Sequence, residues 1–344
     1  MKALVLNDVG KLTVKDVPVP KVGDDEVLVK VGACGICGSD IPRVYRDGAH
    51  VMPLVIGHEF AGTVTEDGRR VGVFPLIPCM KCECCRNRKY EMCSNYSYLG
   101  SRRDGGFAEY VAVPKWNLID LPESVTMEQA AMLEPMAVAV HAIRQVKPSA
   151  DDTVVVMGLG TIGLLIVMFL LDRGIKNVYT IGNKESQKKM VMELGVPSDH
   201  YLDGTKADIL EHVNADVFFE CIGKQESLLA GIAMANPNGR ICTVGNPHSD
   251  MHIDRNIYWK ILRRQLTLVG TWNSSFTHDE HDDWHYVLHR LQQGAVHPEK
   301  LITHRYGLEN IVDGFEMMRD KREEYGKVMG RFEAHEARYM TPIA

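Results

Sequence analysis

Short apolar runs between turn signals fill the chain as far as Tyr110. Residues 27–31 (Val-Leu-Val-Lys-Val) and 71–74 (Val-Gly-Val-Phe) read as strands, and 107–113 alternates well enough to be another. Gly and Pro punctuate the region heavily (Pro18, Pro20, Gly23, Gly32, Gly35, Gly38, Gly57, Gly62). Short strands between such breakers predict a compact, barrel-like β domain. From about residue 127 the period changes. Residues 127–146 read as helix, with a break near Glu134-Pro135. Strand-like and helix-like runs then alternate. Strands are expected at 153–157, 177–181, 215–221, 240–245 and 266–271, and helices at 161–173, 185–194 and 225–235. That alternation predicts an α/β domain with a doubly wound parallel sheet. Beyond about residue 272 the chain turns polar, with helical stretches near 280–293 and 308–321.

Residues 153–171 carry no charge, and their length approaches the ~20 residues of a membrane span. Gly158, Gly160 and Gly163 interrupt the run where a strand would end and a helix begin, so it is read as buried core. The chain has 344 residues, room for two domains. Its 39 Lys and Arg against 45 Asp and Glu give a net charge of −6, which argues against nucleic-acid binding and against a polybasic membrane-surface role. The N-terminal apolar run is too short for a signal peptide, so a cytoplasmic location is expected. Cysteine clusters in that compartment are read as metal or redox sites before disulfides.

Five of the nine cysteines fall between residues 79 and 93. Cys79, Cys82, Cys85 and Cys93 have the spacing of a closed four-thiolate zinc site, which braces a loop and does no chemistry. Cys84 is left over. A second, open site is suggested by Cys37 in a glycine-rich turn, the His58-Glu59 pair, and Glu134. Thiolate, imidazole and carboxylate would leave a fourth zinc position for water or substrate. Taken singly, each is more often a packed residue.

Residues 154–157 run into Gly158-Leu159-Gly160-Thr161-Ile162-Gly163 and then an apolar helix, the strand–turn–helix context of a dinucleotide site. The acid expected about 20 residues further on, for the ribose hydroxyls, is missing. Gly182-Asn183-Lys184 stands there instead. A lysine attracts a 2′-phosphate that an acid would repel, which favours NADP over NAD, although Glu185 opposes it.

Together with Asp104-Gly105-Gly106-Phe107-Ala108-Glu109-Tyr110, and with Glu134-Pro135 followed by His141-Ala142, these motifs resemble the zinc-dependent medium-chain dehydrogenases over nearly the whole chain. On residues 47–50, 75–79, 100–110 and 268–272 the chain looks most like members acting on polyol phosphates. Sorbitol- and threonine-oxidising members look more distant. The resemblance implies a GroES-like β-rich catalytic domain from 1–145 and 273–344, with the zinc lobe at 79–93. A Rossmann domain at 146–272 would be inserted between. It implies two zinc ions per chain, NAD(P) and a homodimer or homotetramer. Catalytic zinc would sit on Cys37, His58 and either Glu59 or Glu134, both left open. Ser39 matches a proton-relaying hydroxyl. The reaction implied is hydride transfer from a secondary alcohol of a polyol or sugar-alcohol phosphate. A threonine-oxidising enzyme and a non-catalytic zinc and nucleotide redox sensor are the alternatives.

If the substrate carries a phosphate, Arg43, Arg46, Arg102 and Arg103 are candidates to meet it, with Tyr45 and His50 lining the pocket. His278, His281, His285 and His289 have helical spacing, but Trp284 and Leu288 make an ordinary amphipathic helix the simpler reading. Cys221 and Cys242 read as core. Three departures from the family stand out. The loop at 64–71 is short, the ribose-binding acid is missing, and a charged tail continues past Gly326-Lys327-Val328 to Ala344.

Overall fold

The structure is a computed structural model that describes residues 1–332 apart from Ala207, Leu210, Glu211 and His248. The charged tail beyond Phe332 lies outside the described residues. The chain opens with strands β1 (Lys2–Asp8), β2 (Lys11–Asp16) and β3 (Glu26–Ile36), then the one-turn helix α1 (Asp40–Pro42). Strands β4 (Leu54–Val55), β5 (Glu59–Val64), β6 (Arg70–Val73) and β7 (Leu76–Ile77) follow, then α2 (Glu83–Arg86). Next come β8 (Ser97–Tyr98), β9 (Tyr110–Pro114), β10 (Leu118–Asp120), α3 (Met127–Ala131) and α4 (Leu133–Val146). The alternating region is β11 (Thr153–Met157), α5 (Thr161–Asp172), β12 (Asn177–Gly182), α6 (Glu185–Leu194), β13 (Tyr201–Asp203), β14 (Ala215–Glu220), α7 (Gln225–Met234), β15 (Ala235–Thr243), α8 (Arg255–Arg264) and β16 (Thr267–Gly270). The remaining elements are α9 (Asp283–Gln292), β17 (Ile302–Tyr306), α10 (Ile311–Asp320) and β18 (Lys327–Arg331).

These elements form two compact units. One comprises Met1–Cys79, Asn95–Glu134 and the chain from Ile302 onward; the other comprises Met80–Ser94 and Pro135–Leu301. In the first, β10-β6-β5-β3-β18-β17 form one sheet with β9 also on β3, and β2-β1-β4 form another. Strand β3 organises the larger sheet. Its first half pairs with β9, its middle and second half with β5, and its last residues with β18. Its β-branched Val27, Val29 and Val31 point into the core beside Phe60 and Phe107, while Lys30 between them is exposed. Phe107 meets Phe315 of α10 edge to face, ring centres 5.5 Å apart.

The second unit holds six parallel strands in the order β13-β12-β11-β14-β15-β16. The order reverses between β11 and β14, the switch point where ligands bind in open α/β sheets. Helix α5 is buried from Gly163 to Leu170, which explains the uncharged run without a bilayer. Among the described residues, no helix is long and apolar enough to cross a membrane.

Several local expectations shift. The helical break falls at Met132, not at Glu134-Pro135. Pro135 sits in the first turn of α4, where its absent N–H leaves no intrahelical bond unmade. A capping box between Thr126 and Gln129 starts α3. The strand expected at 107–113 begins only at Tyr110, because Phe107 bonds back to Ile56. Helix α8 has no counterpart in the sequence reading. Its Ile257 and Ile261, four residues apart, pack on the sheet core, but none of its residues is fully buried and the ten-residue stretch is polar on balance. Strands β17 and β18 are likewise unannounced. Each is only five residues long and carries charge within it or at its ends, and they pair in parallel across α10.

Candidate active site and nucleotide loop

The first site grows from the register of β3. Gly35 pairs with Glu59 of β5, and Cys37 follows directly on the strand. This brings Cys37, His58 and Glu59 together, with one ligand atom from each lying within 4.8 Å of the others. His58 and Glu59 are buried, and His58 Nδ1 has no hydrogen-bond partner. Asp40, fully buried, accepts a 3.0 Å bond from Cys37 N–H, holds Arg43 in an ion pair, and stands 3.4 Å from His58 Nδ1. Ser39 Oγ donates to Cys37 Sγ at 3.3 Å. Burial opposes a charge on His58, yet Asp40 and Cys37 outweigh it and raise its pKa well above the ordinary value. An orphaned buried imidazole nitrogen amid thiol and carboxylates fits a bound cation. The donor set, one sulfur, one nitrogen and one oxygen, suits zinc with a position left open.

The two candidate acids differ in setting. Glu59 belongs to the tight group and is ion-paired with fully buried Lys327 of β18. Glu134 lies outside that group and accepts a 3.2 Å bond from the Tyr98 hydroxyl. Burial pushes its pKa to about 7, against the pull of His58 and with the push of Glu59. Tyr98 stands edge-on to His58, ring centres 5.7 Å apart.

Sequence reasoning assigns no role to Lys327, Asp40 or Tyr98. Lys327 carries the one legible signal, a lysine heading the apolar run Val328-Met329-Gly330. Asp40 stands inside the Cys37 motif, but nothing local says what it will face.

The four sulfurs of Cys79, Cys82, Cys85 and Cys93 also form a group within 4.8 Å. Cys82 Sγ is 3.5 Å from that of Cys85 and 3.8 Å from that of Cys93. A tetrahedron with zinc–sulfur bonds of ~2.3 Å has edges of ~3.8 Å, so the separations suit that ion. Backbone N–H groups of Cys85 and Ser94 lower the Cys82 pKa to about 5, favouring the ligating thiolate. Cys84 is half-buried and outside the group. Cys34, Cys221 and Cys242 lie in other surroundings; burial pushes the Cys242 thiol up to about 12, as befits a core residue. Among the described residues, which include all nine cysteines, there is no disulfide.

The glycine loop follows β11. Gly158 has a left-handed backbone, φ 99°, and a Cβ there would come within 2.6 Å of Ile222. A Cβ on Gly163 would fall 2.0 Å from the Gly158 carbonyl oxygen, so α5 can pack this closely only without one. Gly160 differs: nothing lies within 4 Å of its would-be Cβ. It caps α5 ahead of Thr161 and Ile162, and the open space faces the helix N-terminus, as a pyrophosphate cradle requires. At the end of β12, a Cβ on Gly182 would meet Gln187 Oε1 at 2.8 Å. Gln187 accepts from Asn183 N–H and donates to the Leu159 carbonyl, tying the strand end to the loop. Lys184 is exposed beside it.

Residues 23–123 match the alcohol dehydrogenase GroES-like domain, and residues 127–322 match the glucose dehydrogenase C-terminus. The chain belongs to the zinc-dependent medium-chain dehydrogenases. It is 31% identical over 326 residues to galactitol 1-phosphate 5-dehydrogenase of Escherichia coli, covering 90% of this chain and 94% of that one. It is 30% identical to L-threonine 3-dehydrogenase of Rhizobium rhizogenes, covering 96% and 98%. The crystal structure of galactitol-1-phosphate dehydrogenase from Escherichia coli superposes with a TM-score of 0.88 at 30% identity, over 96% of this chain and 100% of that one. A zinc-binding dehydrogenase of Sinorhizobium meliloti, solved bound to NADP, gives 0.88 at 28%, over 96% and 98%. The fold class is thus that of these enzymes, a GroES-like domain with a Rossmann-type sheet. The polyol-phosphate and threonine enzymes differ little in percentage identity, 31% against 30%, so identity alone does not choose between their substrates.

The remaining candidates separate cleanly. His285 bonds Asp282 and stacks on Phe276, while His281 pairs with Glu280 at the surface. Among the described residues, the only metal-competent groups are the two above, so the histidine run of α9 forms no third. Tyr45 carries Arg319 over its ring at 4.6 Å, and His50 is exposed.

The loop geometry makes Gly160 separable from its neighbours. Gly160→Ala should leave urea stability within about 0.5 kcal/mol of the parent. It should weaken nicotinamide-dinucleotide binding by about tenfold or more, read by calorimetric titration. Unchanged affinity would show that the phosphates do not approach this residue.

Proposed function

We propose that the chain oxidises a secondary alcohol of a polyol or polyol phosphate, galactitol 1-phosphate-like, to the ketone, and reduces NAD(P). The observation that carries this reading is the buried Cys37–His58–Glu59 group, whose donor set leaves a position open. Zinc bound there would supply the Lewis acidity that makes a substrate alcohol more acidic, and the nicotinamide would accept the hydride. The remaining steps fall to the chain. Asp40 fixes the Cys37 backbone and faces His58, so both stay oriented. We assign Ser39 the role of holding the substrate hydroxyl and passing its proton towards solvent. Glu59 is the acid we assign to the metal, because it shares the close ligand group with Cys37 and His58 and Glu134 does not. Cys79, Cys82, Cys85 and Cys93 hold the second, bracing zinc. The catalytic domain comprises 1–145 and 273–344, and the nucleotide domain 146–272.

Gly158, Gly160, Thr161, Ile162 and Gly163 cradle the dinucleotide, with Gly182, Asn183 and Lys184 at the adenosine end. NADP is favoured over NAD, because a neutral strand end beside an exposed lysine offers a 2′-phosphate attraction and no repelling acid. Nine uncrosslinked thiols suit the reducing cytoplasm.

The homo-oligomer, a dimer or tetramer, is supported by the outer edge of the parallel sheet. Strand β16 is an edge strand with Leu268 exposed, and Trp272, Tyr258 and Leu262 stand out at 51–55% exposure. An unpaired edge with apolar neighbours is a template for a second copy of itself.

Elemental analysis should give two zinc ions per chain. Cys37→Ala should keep one and lose hydride transfer, followed by nicotinamide absorbance with polyols and polyol phosphates. One zinc in the parent, retained after Cys37→Ala, overturns the catalytic site. In the same assay Lys184→Ala should raise KM for NADP about tenfold, because it removes a charge-assisted bond to the 2′-phosphate, and leave NADH formation from NAD nearly unchanged. A drop with both cofactors would assign Lys184 to folding instead. For the assembly, Trp272→Glu with Leu268→Lys should halve the mass seen by light scattering; an unaltered mass puts the interface elsewhere.

A further inference from the structure

Four arginines are candidates to meet a substrate anion, and the structure separates them by what already neutralises each. Arg43 is ion-paired with buried Asp40. Arg46 makes two bonds to Asp47, at 2.7 and 2.9 Å. Arg103 donates to Glu26 at 2.6 Å. Arg102 is different. It is half-buried, donates one Nη1 bond of 3.2 Å to the Tyr96 carbonyl, and lies over the Tyr96 ring at 4.4 Å. Among the described residues it has no carboxylate partner.

Its position is tied to the metal group by a run of rings in the same unit. Tyr96 meets Tyr98 edge to face at 6.2 Å, and Tyr98 meets His58 at 5.7 Å. A guanidinium carries five N–H donors in a planar fork. The Tyr96 ring and carbonyl together hold this one in place, and the carbonyl uses one donor. The rest of the fork is pre-oriented and uncompensated, which suits a bidentate oxyanion.

We infer that Arg102 is the anion anchor of the substrate site, taking a phosphate monoester at the end of the polyol chain remote from the carbinol that is oxidised. This rests on the proposed polyol dehydrogenase activity and narrows its substrate class. The remoteness rests on the contacts that link them: Arg102 touches Tyr96, Tyr96 touches Tyr98, and Tyr98 touches His58. A threonine carboxylate lies only two bonds from the reacting carbon and is too near to use such an anchor. A terminal phosphate on a polyol is several bonds away. The acidic groups around Cys37 would repel a phosphate, so an anchor set apart from them is also the electrostatically consistent arrangement.

The alternative for Arg102 is a purely structural one, a cation held by Tyr96 alone. The test uses the zinc-loaded enzyme with its cofactor, and compares galactitol 1-phosphate with galactitol. Arg102→Gln should raise KM for the phosphate ester about 10- to 100-fold, as expected when a charge-assisted bond is removed, with kcat changed far less. KM for galactitol should stay within about twofold, since the guanidinium engages only the phosphate. Arg102→Lys should restore part of the ester's affinity, and Arg46→Gln should change neither substrate. Calorimetric titration of galactitol 1-phosphate into the parent and Arg102→Gln proteins should show the same weakening without turnover. Equal changes for ester and polyol, or none for either, overturn the anchor while leaving the dehydrogenase reading intact. Turnover of neither substrate by the parent overturns both.

Discussion

The buried ion pair between Lys327 and Glu59 is the constraint on which the metal-site unit depends. Lys327 heads the last described strand, and Glu59 heads β5. They meet across Gly35 because β18 and β5 flank the same end of β3: Gly35 pairs with Met329 on one side and Glu59 on the other. A Cβ on Gly35 would lie 2.3 Å from Glu59 Oε2 and 2.7 Å from Lys327 Cε. Only glycine permits the meeting. Both side chains are almost wholly buried, 1% and 2% exposed. Withdrawing two charges from water costs several kcal/mol per ion, and close pairing offsets this only while the geometry holds. Burial alone would discharge Lys327, but Glu59, Cys37 and Glu134 outweigh it and raise its pKa. A strand from the far end of the described chain therefore supplies the buried cation that pairs with a residue of the metal group.

That pair also explains how so much negative charge is tolerated in one place. Cys37, Asp40, Glu59 and Glu134 crowd one end of β3, and the protein answers with Arg43 paired to Asp40 and Lys327 paired to Glu59. Asp40 illustrates the balance. Burial would raise its pKa, yet His58 and Arg43 and the Cys37 N–H hold it below the usual range. The surroundings of His58 thus favour positive charge before any ligand arrives. Attraction of a cation and attraction of the proposed anionic substrate are opposite tasks, and with a net charge of −6 the second would have to be local.

Much of this is legible in the chain itself, for identifiable reasons. The cysteine spacing of the lobe and the glycine spacing of the nucleotide loop are local, so their geometry follows from a few adjacent residues. Helix Glu185–Leu194 and strand Thr153–Met157 match expectation to the residue because caps and β-branched runs mark their ends. What is not legible depends on distant chain. Nothing near Lys327 reveals that it will face Glu59, since the pairing of β18 with β3 is a long-range fact. Helix α8 is harder to see because its core-facing stripe is only Ile257 and Ile261, and the exposed Tyr258, Trp259 and Leu262 beside them blur it. Arg102 and Arg103 are adjacent in sequence and indistinguishable there; Glu26 neutralises one and not the other.

The missing acid at Gly182 shows how a departure from a family pattern is built rather than merely tolerated. An acidic side chain at 182 would need the space that Gln187 Oε1 and Leu159 Cδ1 already occupy, at 2.8 and 2.9 Å from a Cβ. Gln187 uses that space to bridge Asn183 N–H and the Leu159 carbonyl, so the strand end and the glycine loop are joined by a neutral amide. Restoring the acid alone would break this bridge and leave two backbone groups to find new partners. The glycine, the glutamine and the exposed lysine therefore form one arrangement. A change of cofactor preference would require moving at least the first two together, because neither position is free while the other stays.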